Sequence, residues 1–248
     1  MADILPRQSF HGLKKYLEQN MPRAAHRLRS INQLQLHLRE PEIAILKTFV
    51  DPQGIVIDVG ANVGIFSEFF AARLGAKKVL AIEPIATLAE YLRKVLPANV
   101  EVLNLAFSDH AGETKIRIPQ RGNTEFDGWA TIEAANVLSG LQYREETVTL
   151  ARLDDRVAGK VGFIKIDVEG HEAAVLRGAE RVLRESRPNL LIEIEARHRE
   201  GSFAEVMSMM KALDYHCYYY NGEHLVPVPF VPSGDYPAGT VPNYLFLS

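Results

Sequence analysis

The sequence predicts a doubly wound α/β fold, and two observations carry that reading. From residue 55 onward, short apolar runs alternate with segments of helical periodicity. The runs are apolar throughout rather than at every second residue, as expected of strands buried on both faces of a mostly parallel sheet.

The elements follow in order. Residues 8–20 and 22–38 carry apolar residues at helical spacing; Pro22 separates the two segments and Pro41 ends the second, which gives two leader helices. A further helix over 42–50 stops at the turn DPQG (51–54). Strands are expected at IVIDVG (55–60), KKVLAIEP (77–84) and VEVLNLAFSD (100–109), with helices over 63–74 and 85–96 between them. Then come GFIKIDVEG (162–170), a helix over 172–185, NLLIEIEA (189–196), a helix over 202–213, YHCYYYN (215–221) and a closing strand NYLFLS (243–248).

Two stretches interrupt this rhythm. Residues 110–150 hold GETKIRI and ETVTLARL, read as antiparallel strands, around an irregular segment; residues 222–242 contain five prolines and read as irregular. The 110–150 excursion leaves from the carboxyl end of the third strand, where sheets of this kind bind ligands, and is the expected substrate wall. The expected organisation is a helical leader or cap over 1–50 and one domain over 51–248 carrying that insertion.

Composition narrows the class. The 248 residues are 47% hydrophobic and 24% charged with a net charge of −3, which argues against extended disorder and supplies no overall basic signal for nucleic acid. Residues 1–40 hold seven Lys and Arg against three acids, a local +4 that leaves −7 for the rest. Such a segment can approach a phosphate-bearing substrate, an anionic lipid surface or nucleic acid; a solvated face of the leader helices is the plainer reading. The single cysteine, Cys217, excludes an internal disulfide and fits a reducing compartment. There is neither a basic-then-apolar leader nor an apolar run long enough to span a bilayer, so a cytoplasmic protein is expected.

The turn DVGANVG (58–64) raises the question of a nucleotide ligand. A phosphate-binding P-loop fails because no lysine follows Gly64, and a dinucleotide fingerprint fails because Asn62 and Ile65 stand where glycines are needed after Gly60. The glycines are Gly60 and Gly64, with Asn62 between them. Gly60 allows a sharp turn off the strand and close ligand approach, Asn62 tolerates left-handed backbone and can cap the next helix, and Gly64 lets that helix come close. Asp58 can hold an ammonium group or organise the loop. These needs match a nucleoside bearing a methionine tail. Glu83, ending the second strand, can accept hydrogen bonds from both hydroxyls of a ribose. Ser108 and Asp109, after the third strand, can reach an adenine edge.

With DVGANVGIFS, AIEP, LDD (153–155), IKIDVEGHE (164–172), LIEIE (191–195) and the terminal NYLF, residues 50–248 resemble the FkbM-type family of S-adenosylmethionine-dependent methyltransferases. The resemblance implies a Rossmann-like class I methyltransferase fold, with a seven-stranded sheet whose last strand runs antiparallel. It also implies S-adenosylmethionine as cofactor and O-methylation of sugars, polyketide-type products or related secondary metabolites.

The segment IKIDVEGHE supplies candidates for the chemistry. Methyl transfer to an alcohol needs the acceptor oxygen aligned with the methyl group and a base to take its proton. His171 titrates near neutrality and is the first choice for that base. Asp167 can orient it or touch the sulfonium side of the cofactor, and Glu169 can bind an acceptor hydroxyl. Glu193 and Glu195 end the fifth strand on one side, and Glu193 is a candidate for the acceptor. Trp129, the only tryptophan, is suited to stack on a sugar ring, with Asn123 and Thr124 as polar neighbours in the same wall. The acids near His171 are hard ligands, yet no spacing sets a metal geometry, so no metal site is expected although a divalent ion stays open. The alternatives are a nicotinamide-dependent oxidoreductase, a binding protein without turnover, and methylation of a macromolecule; a homodimer through the leader helices is a further expectation.

Overall fold

The computed structural model describes residues 21–27, 42–121, 124–125, 130–132, 142–194, 201–231 and 243–248. The expected helix over 8–20, most of that over 22–38, and Asn123, Trp129 and Glu195 lie outside the described residues. A helical turn, α1 (22–27), precedes α2 (Ile43–Leu46), β1 (Ile55–Val59), α3 (Ile65–Glu68, continued as a π-helical turn over Phe69–Arg73), β2 (Lys78–Ile82), α4 (Ala86–Val95) and β3 (Val100–Leu103). Next come β4 (Ala106–Phe107), β5 (Gly112–Arg121), β6 (Thr124–Glu125), β7 (Gln142–Ala151), α5 (Leu153–Arg156), β8 (Val161–Ile166), α6 (Glu172–Arg177) and α7 (Glu180–Glu185). The chain continues through β9 (Asn189–Glu193), α8 (Ser202–Ala212), β10 (His216–Tyr220), β11 (Leu225–Val228) and β12 (Asn243–Leu247).

The main sheet has eight strands in the order β11-β10-β12-β9-β8-β1-β2-β3. Pairing from β3 through β9 is parallel, and β12 runs antiparallel between β9 and β10. The chain reverses direction across the sheet where β1 lies between β2 and β8, so the carboxyl ends of β1 and β8 form a crevice.

Both faces are covered, and strand residues divide between them. Ile57, Val59, Leu80, Ile82, Ile164, Ile166 and Leu190 pack against Leu176, Leu183, Val206 and Met210 of α6, α7 and α8. On the other face Val56, Val79, Phe163, Leu191 and Leu245 meet Leu46 of α2 and Phe66, Phe69 and Phe70. Burial of successive residues on opposite faces is why the strands read as unbroken apolar runs. Asp58 and Lys165, opposite each other in the β1–β8 register, fall on this second face.

Four expectations are revised. The main sheet has an eighth strand: Leu225–Val228, within the proline-rich stretch, pairs antiparallel with Cys217–Tyr220. Pro227 is tolerated because β11 is an edge strand with one side free of ladder bonds. The expected strand over 100–109 is divided. Asn104 donates through Nδ2 to the carbonyls of Glu83 and Pro84, at 3.0 and 2.8 Å, and the chain there leaves the main sheet. Ala106–Phe107 instead joins a second sheet, β4-β7-β5-β6, in which the expected antiparallel strands of the insertion pair as β5 and β7.

The helix expected over 172–185 is also two helices. Asp154 causes the second to start afresh, accepting from the backbone N–H groups of Arg181 (2.9 Å) and Val182 (3.0 Å). It thereby caps α7 from a distant part of the chain. Lastly, the helix expected over 42–50 is confined to Ile43–Leu46, the Ile45 carbonyl accepting from the Thr48 N–H and the Leu46 carbonyl from those of Phe49 and Val50.

Cys217 is buried in this sheet, and burial pushes its thiol up to about 12, so it stays protonated and unreactive near neutrality. Replacing Asp154 by alanine leaves two helix N–H groups without their partner. Chemical denaturation of Asp154→Ala should show a loss of about 1 kcal/mol with unchanged slope, only partly recovered in Asp154→Asn, whose amide offers one acceptor oxygen where the carboxylate offers two.

Candidate active site

The site begins with the turn that follows β1. Gly60, Asn62 and Gly64 all have positive φ, of 82°, 49° and 82°. At Gly60 the requirement is also steric: a Cβ there would collide with the Asp167 carbonyl. At Gly64 a Cβ would stand 2.6 Å from a Leu92 methyl on α4. The Gly60 and Ala61 N–H groups both donate to the Ile82 carbonyl, at 3.0 and 2.9 Å, which fastens the turn to the end of β2. Asn62 does not cap α3, since Gly64 holds the cap position and no side chain bonds there. The left-handed turn aims the Asn62 backbone N–H elsewhere, to Glu83 Oε2 at 2.8 Å.

Glu83 is buried and organises two loops at once. Its Oε1 accepts from the Ile85 N–H at 2.8 Å while Oε2 takes that of Asn62. Each carboxylate oxygen can accept more than one bond, so this anchoring is compatible with receiving ligand hydroxyls. A cleft of about 700 Å³, part of it open to solvent, lies alongside. Gly60, Asn62, Glu83, Asp167, Glu169 and His171 line it together with apolar residues from both sheets, among them Val59, Ile82, Ile85, Phe107 and Ile116.

The second sheet covers this cleft. Ile116, Ile118 and Val148 pack with Ile85, and Ala130 and Ile132 join them. Thr131 exchanges backbone bonds with Arg117, at 2.9 and 3.0 Å, and its hydroxyl donates to the Glu169 carbonyl at 2.7 Å. The insertion is thereby tied directly to the loop after β8.

That loop carries the polar end of the cleft. The Asp167 N–H donates to the Val59 carbonyl at 2.9 Å, and Lys165 Nζ donates to Asp167 Oδ2 at 2.8 Å. Asp58, by contrast, is buried beneath the turn. Ser67 donates to its Oδ2 at 2.6 Å, and its Oδ1 is buried with no hydrogen-bond partner. Burial pushes the Asp58 carboxyl up, opposed by the Lys165 charge and the Ser67 bond.

Ser108 and Asp109 do not line the cleft; they stand behind His171. Ser108 Oγ lies 3.0 Å from His171 Nε2 and donates to Asp109 Oδ1 at 3.3 Å. His110 and Arg177 bind the same Asp109 carboxylate, at 2.7 and 3.1 Å, and pull its pKa down to about 2. Glu193 ends β9 opposite Asn243 and is not among the lining residues. No group of three His, Cys, Asp or Glu that could hold a metal occurs among the described residues. No helix among them is long and apolar enough to cross a membrane. Lys165 sits inside the β8 strand pattern, where the sequence leads one to expect it to pair with a nearby acid, and that acid is Asp167. Sequence reasoning passed over the role of Thr131 and the Ser108–His171 contact.

A mostly parallel sheet of this order, with the antiparallel β12 between β9 and β10, a glycine turn after β1 and an acid after β2, is the fold of a class I S-adenosylmethionine-dependent methyltransferase. The chain belongs to the FkbM methyltransferase family, whose sequence model, described as a methyltransferase FkbM domain, matches residues 58–217. Among curated proteins it is similar to the AMB antimetabolite synthetase AmbE of Pseudomonas aeruginosa, at 27% identity over 77% of this chain. The match spans 11% of that much longer protein. Among solved structures it is similar to an FkbM methyltransferase from Methylobacillus flagellatus, with a TM-score of 0.51 and 18% identity, covering 79% of this chain and 44% of that one. A further similar structure is an S-adenosylmethionine-dependent O-methyltransferase from Thermotoga maritima, with a TM-score of 0.44, 14% identity, and coverage of 84% and 64%. Family membership sets aside the nicotinamide-dependent alternative.

Two predictions follow from this geometry. Glu83→Gln keeps the shape but removes the charge from bonds worth about 1.5–3 kcal/mol each. Calorimetry should show S-adenosylhomocysteine binding weakened by about tenfold or more, with turnover at saturation changed much less. The second concerns acid stability. Because folding lowers the Asp109 pKa from 3.8 to about 2, its contribution is full above the unfolded value and disappears as pH falls through the folded one. The group is over a third exposed, so solvent screening keeps that contribution small. The melting-temperature gap between wild type and Asp109→Asn should therefore close between pH 4 and pH 2.

Proposed function

We propose that the protein is an O-methyltransferase acting on a hydroxyl of a sugar or a secondary metabolite. The observation that carries this reading is the placement of Asp167, Glu169 and His171 on one loop, facing the same cleft as Glu83. The donor set suits S-adenosylmethionine: a buried carboxylate for ribose hydroxyls, an apolar slot by Ile85 and Phe107 for adenine, and acids for an α-ammonium group. The unpartnered buried oxygen of Asp58 adds negative potential beneath the turn. When bound, the cofactor supplies a methyl group on a positively charged sulfur, open to in-line displacement.

The chain's residues then have distinct tasks. Asp167 receives the α-ammonium group, and Glu169 accepts a hydrogen bond from the acceptor hydroxyl. His171 takes the hydroxyl proton. Its Nε2 is held 3.0 Å from Ser108 Oγ, which lies 3.3 Å from Asp109 Oδ1. Ser108 and Asp109 thus serve the reaction through His171, in place of an adenine contact. Asn123 and Trp129 of the insertion complete the proposed acceptor side, whereas Glu193 lies off the cleft. The secondary-metabolite class draws support from the antimetabolite synthetase relative.

Incubation with S-adenosylmethionine and a metabolite extract, followed by mass spectrometry, tests the reading. One methyl should replace one hydrogen on an oxygen of a small molecule. Transfer only to nitrogen or carbon, or to protein or nucleic acid, overturns it. His171→Ala should lower kcat about 10²–10⁴-fold while leaving S-adenosylhomocysteine affinity within about twofold. Unchanged turnover under saturation removes His171 as the base.

A further inference from the structure

Lys165 is a charged residue in the middle of the sheet, only 3% exposed. Burying an ammonium group is costly unless acids surround it, and two do. Asp58, itself 1% exposed, is its register partner on β1, and the two charges interact. Asp167, two residues on along the same strand direction, takes a 2.8 Å ion pair through Oδ2. The Phe66 ring, 4.5 Å from Nζ, closes the remaining side.

The three groups differ in exposure, and that difference carries the inference. Asp58 and Lys165 are sealed under α3, whereas the Asp167 side chain is 35% exposed and lines the cleft. The Lys165 pair engages Oδ2, so Oδ1 is the acceptor that remains for a ligand. We propose that Lys165 is a positioning residue: its buried ammonium group, paired with Oδ2, locks the Asp167 carboxylate in the orientation that receives the α-ammonium group of the cofactor's methionine tail. Asp58, its register partner on β1, supplies a second buried carboxylate beside that group. The inference rests on the assignment of Asp167 made above and extends it to two residues that never touch the ligand.

Two probes separate this role from a general structural one. S-adenosylhomocysteine carries the amino-acid tail, whereas methylthioadenosine keeps the adenosine and sulfur without it. In Lys165→Met, calorimetry should show S-adenosylhomocysteine binding weakened at least tenfold and methylthioadenosine binding within about twofold of wild type. Because Met at 165 leaves Asp58 without a counter-charge, the Asp58→Asn/Lys165→Met double variant repeats the measurement with both charges removed, and should show the same selective loss. Asp167→Asn should reproduce it too, and its loss should not add to that of Lys165→Met.

Equal weakening of both ligands, an unchanged preference for the tailed ligand, or fully additive losses would each overturn the proposal. If wild-type protein binds neither probe, the cofactor assignment fails and takes this inference with it. If wild type binds both but the preference survives substitution, only the role of Lys165 fails.

Discussion

The close approach of two loops, after β1 and after β8, is the constraint on which the rest of this structure depends. Gly60 lies so near the Asp167 carbonyl that no side chain fits between them. The Asp167 N–H closes the contact from the other side through the Val59 carbonyl. Because β1 and β8 are central parallel neighbours, their loops leave the sheet at the same end. The glycine turn and the acidic loop therefore form one cleft. A side chain at position 60 would part them, and the glycine turn and the acidic loop would no longer share a wall.

Polar groups around that contact are shared between elements. Glu83 joins the turn after β1 to the start of α4 through two backbone N–H groups. Thr131 joins the second sheet to the Glu169 carbonyl, and Ser108 joins the end of β4 to His171. Each is a short polar side chain spanning parts of the chain far apart in sequence. A cleft built from such links is pre-organised, since its polar groups are already oriented before ligand arrives.

Apolar packing explains why the cleft stays where it is. The two faces of the main sheet are filled by separate clusters, with α6, α7 and α8 on one and α2, α3 and the aromatic residues Phe66–Phe70 on the other. The buried Asp58–Lys165 pair sits inside the second cluster, where desolvation penalises any unbalanced charge. Replacement of one partner alone is therefore the costly change, because it leaves the other without compensation. The insertion packs through Ile116, Ile118 and Val148 onto Ile85, so the wall of the cleft rests on the residue whose N–H binds Glu83.

Much of this was legible in local patterns. Apolar runs marked the parallel strands because both faces of each are buried, and the positive-φ requirement marked Gly60, Asn62 and Gly64 in a short turn. Glu83 was legible because a strand end beside such a turn has one geometric destination. The edge strand β11 was not, since Pro227 masks strand character wherever position in the sheet is unknown. Nor was the break between α6 and α7, which depends on Asp154 arriving from another element.

By itself, then, the sequence determined the class of fold, the glycine turn after β1 and the loop that carries the acids, because these follow from periodicity and backbone conformation over a few residues. Only the tertiary structure decided that Ser108 and Asp109 stand behind His171 rather than in the cleft, that Thr131 ties the insertion to the loop after β8, and that Lys165 binds Asp167 while facing Asp58. Those outcomes depend on which distant segments come within hydrogen-bonding distance, and strand register and packing set that distance, not the spacing of residues along the chain.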